Sequence, residues 1–251
     1  VEGPPAVLAH GVRRLADAKY RVYVTGSNAK MLSKEVATTL GGRFFIYDAY
    51  PYSFKEYLAA QQVELKEHWE YDTIQRSEVK RHLNEYFYYG GLPEILSFKN
   101  KRAMLSSLYQ KIYLGDICAR NNIKNDRVLN ILIKKMAESV KQPLSYNRLK
   151  NVIVSTGSPI SVPTTIDYAG YAADSWLILP MENEVGKLTE KEMQKKYYFV
   201  DNGLLNLFLM NSETSLLENM VAVELCRRFG KKNVFFLSAE KEIDFIVPDV
   251  K

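Results

Sequence analysis

The stretch that most constrains this chain is Arg21 to Phe54, RVYVTGSNAKMLSKEVATTLGGRFFIYDAYPYSF. Arg21-Val22-Tyr23-Val24 is a β-branched and aromatic run, and it ends in Thr25, Gly26, Ser27 and Asn28, small polar residues that suit a tight hydrogen-bonding turn. Ala29 to Leu40 has helical character, Gly41-Gly42 closes it as a C-cap, and Phe44 to Tyr47 reads as a second apolar strand. A strand, a polar tip, a helix and a parallel strand make the half-unit of an open α/β sheet. Ligands of such sheets sit at the carboxyl ends of the strands, where Ser27 and Asn28 fall.

The run VTGSNAKML, followed by GGRFFIYDAYPYSFKEYL, resembles bacterial and archaeal AAA-type ATP-binding proteins that carry a C-terminal domain of unknown function. The resemblance implies that Thr25, Gly26, Ser27 and Asn28 form a nucleotide-binding tip similar to sensor 1, with Asn28 beside the γ-phosphate and its attacking water. It also puts Arg43 where related ATPases carry an arginine finger, so Asn28 and Arg43 are the catalytic candidates. Taken by themselves, an Asn in a turn suits the backbone and an Arg at a strand edge suits solvent. ATP and Mg²⁺ are the cofactors that the resemblance implies for a full-length protein.

A phosphate-cradling loop needs G-x-x-x-x-G-K-[ST], because glycines let backbone N–H groups reach the phosphates while Lys and the hydroxyl handle charge and Mg²⁺. Lys follows Gly only at Gly186-Lys187 and Gly230-Lys231, and neither pair has Ser or Thr next. The sequence holds no such motif, and neither Phe44 to Asp48 nor Tyr197 to Asp201 ends in the paired acids of a Walker B strand. The expectation is therefore a fragment of a longer ATPase, beginning after Walker B, inactive alone and binding no cofactor. Phosphoryl transfer rests on positioning and charge stabilisation by the missing parts.

The expected fold class is α/β, in four parts. Residues 1–58 end a partial AAA/P-loop-like core with a parallel sheet, and Ser53 caps a helix from about Phe54 to Gln61. Residues 59–125 form a helical lid: a helix at Glu78 to Tyr88, a bend forced by Tyr89-Gly90-Gly91-Leu92-Pro93-Glu94, and a helix at Arg102 to Asp116 with Met104, Leu105, Leu108, Ile112 and Tyr113 on its core face. Residues 126–190 place helices at Val128 to Val140, Ser145 to Val154 and Ser161 to Ala173 before an apolar strand at Trp176 to Leu179, which resembles a winged helix. Its third helix contains VPTTIDYAGYAADS, two acids and no base, so it suits packing or a protein contact better than base reading. Residues 191–251 give a strand at Tyr197 to Val200, a turn at Asp201-Asn202-Gly203, a helix at Leu216 to Phe229, and strands at Asn233 to Leu237 and Glu242 to Val247. The pattern LEN-x-x-x-x-E-L with EIDFIV resembles the PD-(D/E)xK nuclease-like fold, which implies Glu218 and Asp244 as ligands of Mg²⁺. No acid-x-Lys completes that set on a following strand, and the alternative is that both acids are structural.

Charge and composition bound the partners. The net charge is +5, but residues 76 to 150 hold 15 basic against 6 acidic side chains, a surplus of +9. That is either a surface for nucleic acid or an acidic partner, carried by Lys134, Lys135, Lys141, Arg148 and Lys150, or a solvated helical face. Two distant cysteines and three scattered histidines match no metal spacing and suit a reducing cytoplasm. No apolar run approaches the roughly 18 residues that span a bilayer and no basic-then-apolar leader is seen, so no membrane is expected. Three readings remain open: an ATPase fragment coupling nucleotide state to C-terminal modules, a nucleic-acid-binding or nuclease-like protein, and an interaction module that binds a protein or itself.

Overall fold

Helices start where the sequence supplies an oxygen to cap them. In the computed structural model, which describes residues 5–24, 45–210, 212–238 and 242–248, the first helix is α1 (Pro5–Asp17). Ser53 and Glu56 form a reciprocal capping box at α2 (Phe54–Ala60). Asp72 caps α3 (Thr73–Tyr89) and Asn100 caps α4 (Lys101–Gln110). Asn125 starts α5 (Asp126–Glu138), Ser145 starts α6 (Tyr146–Ser155), and Ser161 starts α7 (Val162–Asp174). The cap expected at Ser53 is present, and the helices expected to begin at Ser145 and Ser161 are each capped by that serine.

α4 runs on as a π-helical stretch, Lys111–Ala119, where an α-helix to Asp116 was expected. The buried row is Leu105, Tyr109, Tyr113 and Ile117, each four residues from the last. Four-residue steps drift around an α-helix with 3.6 residues per turn, and the wider turn keeps the row on the core. Met104, Leu108 and Ile112 pack at its margin.

The strands are β1 (Leu144–Ser145), β2 (Ile178–Asn183), β3 (Gln194–Phe199), β4 (Phe235–Ser238) and β5 (Glu242–Ile246). They form one mixed sheet in the order β1-β3-β2-β4-β5. β3 pairs antiparallel with β1 and β2, β5 pairs antiparallel with β4, and β2 pairs parallel with β4 only at Glu182 and Asn183. Three further helices are short α8 (Leu188–Met193), α9 (Asn202–Asn206), where the sequence suggested only a turn, and long α10 (Glu213–Phe229). One continuous core runs from Ile95 through α5, α6, β2 and β3 to Phe236, and a smaller aromatic cluster of Tyr57, Leu58 and Tyr86 lies beside it.

The N-terminal parallel sheet is corrected where it can be seen. Residues 21–24 and 45–47 make no ladder, and Tyr23, Phe45 and Tyr47 are 89, 88 and 87% exposed. A parallel ladder is stable when both faces are covered, and no described strand pairs with either run. The helix expected at Ala29 to Leu40 lies outside the described residues.

Candidate functional site

Polar side chains converge on the seam between β3 and α10 and on the turn that follows β3. Alternation along β3 puts Lys196 and Tyr198 on one face, and both reach the same oxygen of α10: Glu218 Oε1 accepts from Tyr198 Oη at 2.9 Å and from Lys196 Nζ at 3.4 Å. Lys196 Nζ also donates to Asp244 Oδ1 at 2.9 Å and lies 3.6 Å from Glu242 Oε1. The lysine side chain is fully buried, while Glu242 and Asp244 are a little over half exposed. Burial, with Glu218 beside it, pushes the Tyr198 hydroxyl far above its ordinary value, so it acts as a donor.

One residue along α10, Asn219 takes the place of a strand partner. Its Oδ1 accepts from Phe199 N at 2.7 Å, and its Nδ2 donates to Phe199 O at 3.0 Å and to Asn202 Oδ1 at 2.9 Å. Beyond β3 the sequence Asp201-Asn202-Gly203-Leu204-Leu205-Asn206 closes the end of α3. A helix leaves its last four carbonyls without intrahelical donors. Asn202 Nδ2 donates to Phe87 O at 3.0 Å, Asn206 Nδ2 donates to Tyr88 O at 2.9 Å, and Gly90 N donates to Tyr86 O. Three of the four carbonyls are thereby satisfied.

Asp201 joins this turn to the Gly90-Gly91 bend. Its carboxylate accepts from Gly91 N at 2.7 Å, Gly203 N at 2.8 Å and Leu204 N at 3.4 Å. Burial raises its pKa to about 6 against the pull of those three donors. Glycine is demanded by space. A Cβ on Gly91 would lie 2.3 Å from Tyr52 O, and one on Gly203 would lie 2.2 Å from Tyr89 O. Gly90 adds a left-handed φ of 76°. Tyr52 N donates back to Gly91 O at 2.8 Å and Tyr86 Oη donates to Tyr52 O at 2.8 Å, so the chain after Tyr50 is fixed to the same joint. Asp48 meets Lys231 at 3.5 Å, the Tyr50 ring stands edge-on to Trp176 at 5.4 Å, and Glu56 meets Arg227 at 3.7 Å.

The candidates read from the sequence are placed unevenly. Thr25, Gly26, Ser27, Asn28 and Arg43 lie outside the described residues. Glu218 and Asp244 come together, but on an ammonium, and among the described residues no group of three or more His, Cys, Asp and Glu side chains is arranged to hold a metal ion. Lys134, Lys141 and Arg148 are exposed, Lys135 and Lys150 half-buried. Lys135 pairs with Glu138 and Lys141 donates to Thr214 Oγ1. Among the described residues no helix is long and apolar enough to cross a membrane.

Comparison with known families decides where the chain belongs. A family described as a domain of unknown function, DUF8612, matches residues 80–215, from the middle of α3 through the turn after α9 to the start of α10. The chain is a member of the DUF8612 family. An AAA domain family matches residues 7–58, ending within α2. An uncharacterized protein of Methanocaldococcus jannaschii is 31% identical over 244 residues, 94% of this chain and 54% of that protein. An uncharacterized protein of Haemophilus influenzae is 32% identical over 231 residues, 90% of this chain and 55% of that protein. The chain thus spans about half the length of the curated relatives it matches. No solved structure matches. In this DUF8612 member, the Gly90-Gly91 bend and the Asp201–Asn206 turn lie inside the family's bounds, whereas Glu218 and Asp244 lie beyond them.

The sequence reading missed Lys196, Tyr198 and Asn219, and took Asp201, Asn202 and Gly203 only as a turn. A signal was present: Lys196 and Tyr198 are two apart at the head of an apolar run, and Asn219 is the polar residue between Glu218 and Met220.

Proposed function

We propose that this chain is part of a cytoplasmic AAA-type ATP-binding protein and that it transmits nucleotide state from the AAA segment to the C-terminal modules. The observation that carries this reading is the joint: the segment at the end of the AAA match is tied to the DUF8612 match by Tyr52–Gly91, and to α10 and the residues just after it by Glu56–Arg227 and Asp48–Lys231. A displacement of Tyr52 would act first on the Gly90-Gly91 bend and, through Asp201, on β3 and α9. Thr25, Gly26, Ser27 and Asn28 would face the nucleotide and Arg43 would face its γ-phosphate. ATP and Mg²⁺ would be held in the longer proteins by a phosphate loop of the type absent from this sequence, so this chain alone is inactive. The order helix, strand, helix, helix, hairpin, with β3 between β1 and β2, supports a winged-helix-like module. The sequence of α7, VPTTIDYAGYAAD, contains no Lys or Arg to read base edges, which favours a protein partner or a second copy there.

In a longer protein carrying this segment, such as the M. jannaschii relative, ATP is expected to change amide-exchange protection at the positions matching Gly91 and Gly203. This chain by itself should release no phosphate from ATP. Turnover by this chain that Asn28→Ala leaves unchanged would refute the reading.

A second reading, a nucleic-acid-binding or nuclease-like protein, has one observation in its favour: Lys134, Lys141 and Arg148 are exposed on and just after α5 and on α6. Binding to duplex DNA that weakens with salt and falls on Lys134→Ala with Arg148→Ala would support it. Unchanged binding in that double variant would exclude these residues as the contact.

A further inference from the structure

The carboxylates that resemble a nuclease metal site surround a cation that the chain itself provides. We propose that Glu218, Glu242 and Asp244 form a closed ammonium site filled by Lys196, and that this cluster takes up no Mg²⁺ or Mn²⁺ while the lysine is present. This inference stands apart from the nucleotide reading.

Distances favour an ammonium. Lys196 Nζ sits 2.9 Å from Asp244, 3.4 Å from Glu218 and 3.6 Å from Glu242, at hydrogen-bond and ion-pair spacing. Mg²⁺ holds oxygens at about 2.0–2.1 Å in near-octahedral geometry and keeps several waters. Entry of that ion would put two positive charges beside a third inside one cluster. The lysine has no retreat: its side chain is fully buried, its ammonium lies 5.7 Å from the centre of the Phe236 ring, and Tyr198 occupies the next position on the same face. Burying an ammonium is costly unless it is paired and hydrogen-bonded, and the three carboxylates supply both.

The site also has a mechanical consequence. In the sheet order β3 and β5 are separated by β2 and β4. Three strand spacings of about 4.8 Å come to about 14 Å in a flat sheet, farther than a lysine reaches. The Lys196–Asp244 bond therefore requires the β4–β5 hairpin to curl toward α10, and the Tyr198 and Phe245 rings meet at 5.7 Å on the same side. Lys196 clips the C-terminal hairpin onto β3 and α10.

The test uses the chain described here with Mn²⁺ as the probe, followed by electron paramagnetic resonance and by mass-spectrometric readout of lysine acylation. The expected result is no bound Mn²⁺, with Lys196 acylated at least about tenfold more slowly than exposed Lys134, as for a group reached only through opening, and at a rate that Mn²⁺ leaves unchanged. Lys196→Met should gain a Mn²⁺ site that Asp244→Asn in the same background removes. Mn²⁺ bound by the unsubstituted chain and lost with Asp244→Asn, Lys196 acylated as fast as Lys134, or a folded Lys196→Met variant that binds no Mn²⁺ would each overturn the proposal. The acylation measurement decides the matter if Lys196→Met does not fold.

Discussion

Replacing Gly91 by Ala tests the joint on which the functional reading depends. The added Cβ would stand 2.3 Å from Tyr52 O, more than 1 Å inside an ordinary contact of 3.4 Å, and 3.0 Å from Tyr86 Cε2. The obstacle at Tyr52 is backbone, so it cannot swing aside as a side chain end would. Relief requires the Tyr52 segment to lift from the bend, which breaks Tyr52 N to Gly91 O and strains Tyr86 Oη to Tyr52 O. Overpacking of this kind costs about 1–3 kcal/mol and each lost hydrogen bond about 1 kcal/mol, for a total of about 3–5 kcal/mol. At roughly 2–4 °C per kcal/mol for a chain of this size, the midpoint of thermal unfolding should fall by roughly 6–20 °C. Gly170, inside α7 with nothing within 4 Å of its would-be Cβ, is the control. Gly170→Ala should gain up to about 1 kcal/mol from helix propensity. Circular dichroism melts and urea titrations of the two variants beside the parent make the comparison. A Gly91→Ala midpoint within about 2 °C of the parent, under 1 kcal/mol on the same scale, would show that the bend gives way freely and would remove the physical basis for transmission through it.

Asn219→Ala leaves the buried N–H and C=O of Phe199 and the Oδ1 of Asn202 without that partner. The expected loss is about 2–5 kcal/mol in urea unfolding, and a loss below about 1 kcal/mol would mean that other donors replace the amide. Asp201 carries a pH dependence of definite sign. Its pKa is raised from 3.8 to about 6 in the folded chain, so the native state holds the extra proton and its stabilising contribution is complete below 3.8 and lost as pH rises through 6. This group alone makes the fold about 1 kcal/mol more stable at pH 5 than at pH 7. Subtracting the pH profile of Asp201→Asn, which cannot titrate, from that of the parent isolates the effect, and a difference that rises with pH would contradict the assignment.

Local signals carried far into this fold, and long-range ones did not. Ser53, Ser145 and Ser161 announce their helices because a cap is a bond between neighbours in sequence, readable wherever the hydroxyl precedes an apolar period. The Gly90-Gly91 bend was legible as a turn, yet its reason was not: the carboxylate that fills the space where a Cβ on Gly90 would go, and that accepts from Gly91 N, comes from Asp201, 110 residues after Gly91. Lys196 shows the same limit in a sharper form. A lysine ahead of Tyr197-Tyr198-Phe199 reads as the solvated start of a strand, because lysine is almost never fully buried unless paired. Its partners lie 22, 46 and 48 residues away on a helix and a hairpin, and their convergence depends on how the sheet curls. Glu218 and Asp244 were recognisable as a pair of acids for the opposite reason, since a resemblance supplies the partner that spacing cannot. What neither source contained was the identity of the cation between them. Two carboxylates on adjoining elements satisfy a divalent ion and an ammonium alike, and only the third side chain, contributed by a strand outside the motif, separates the two.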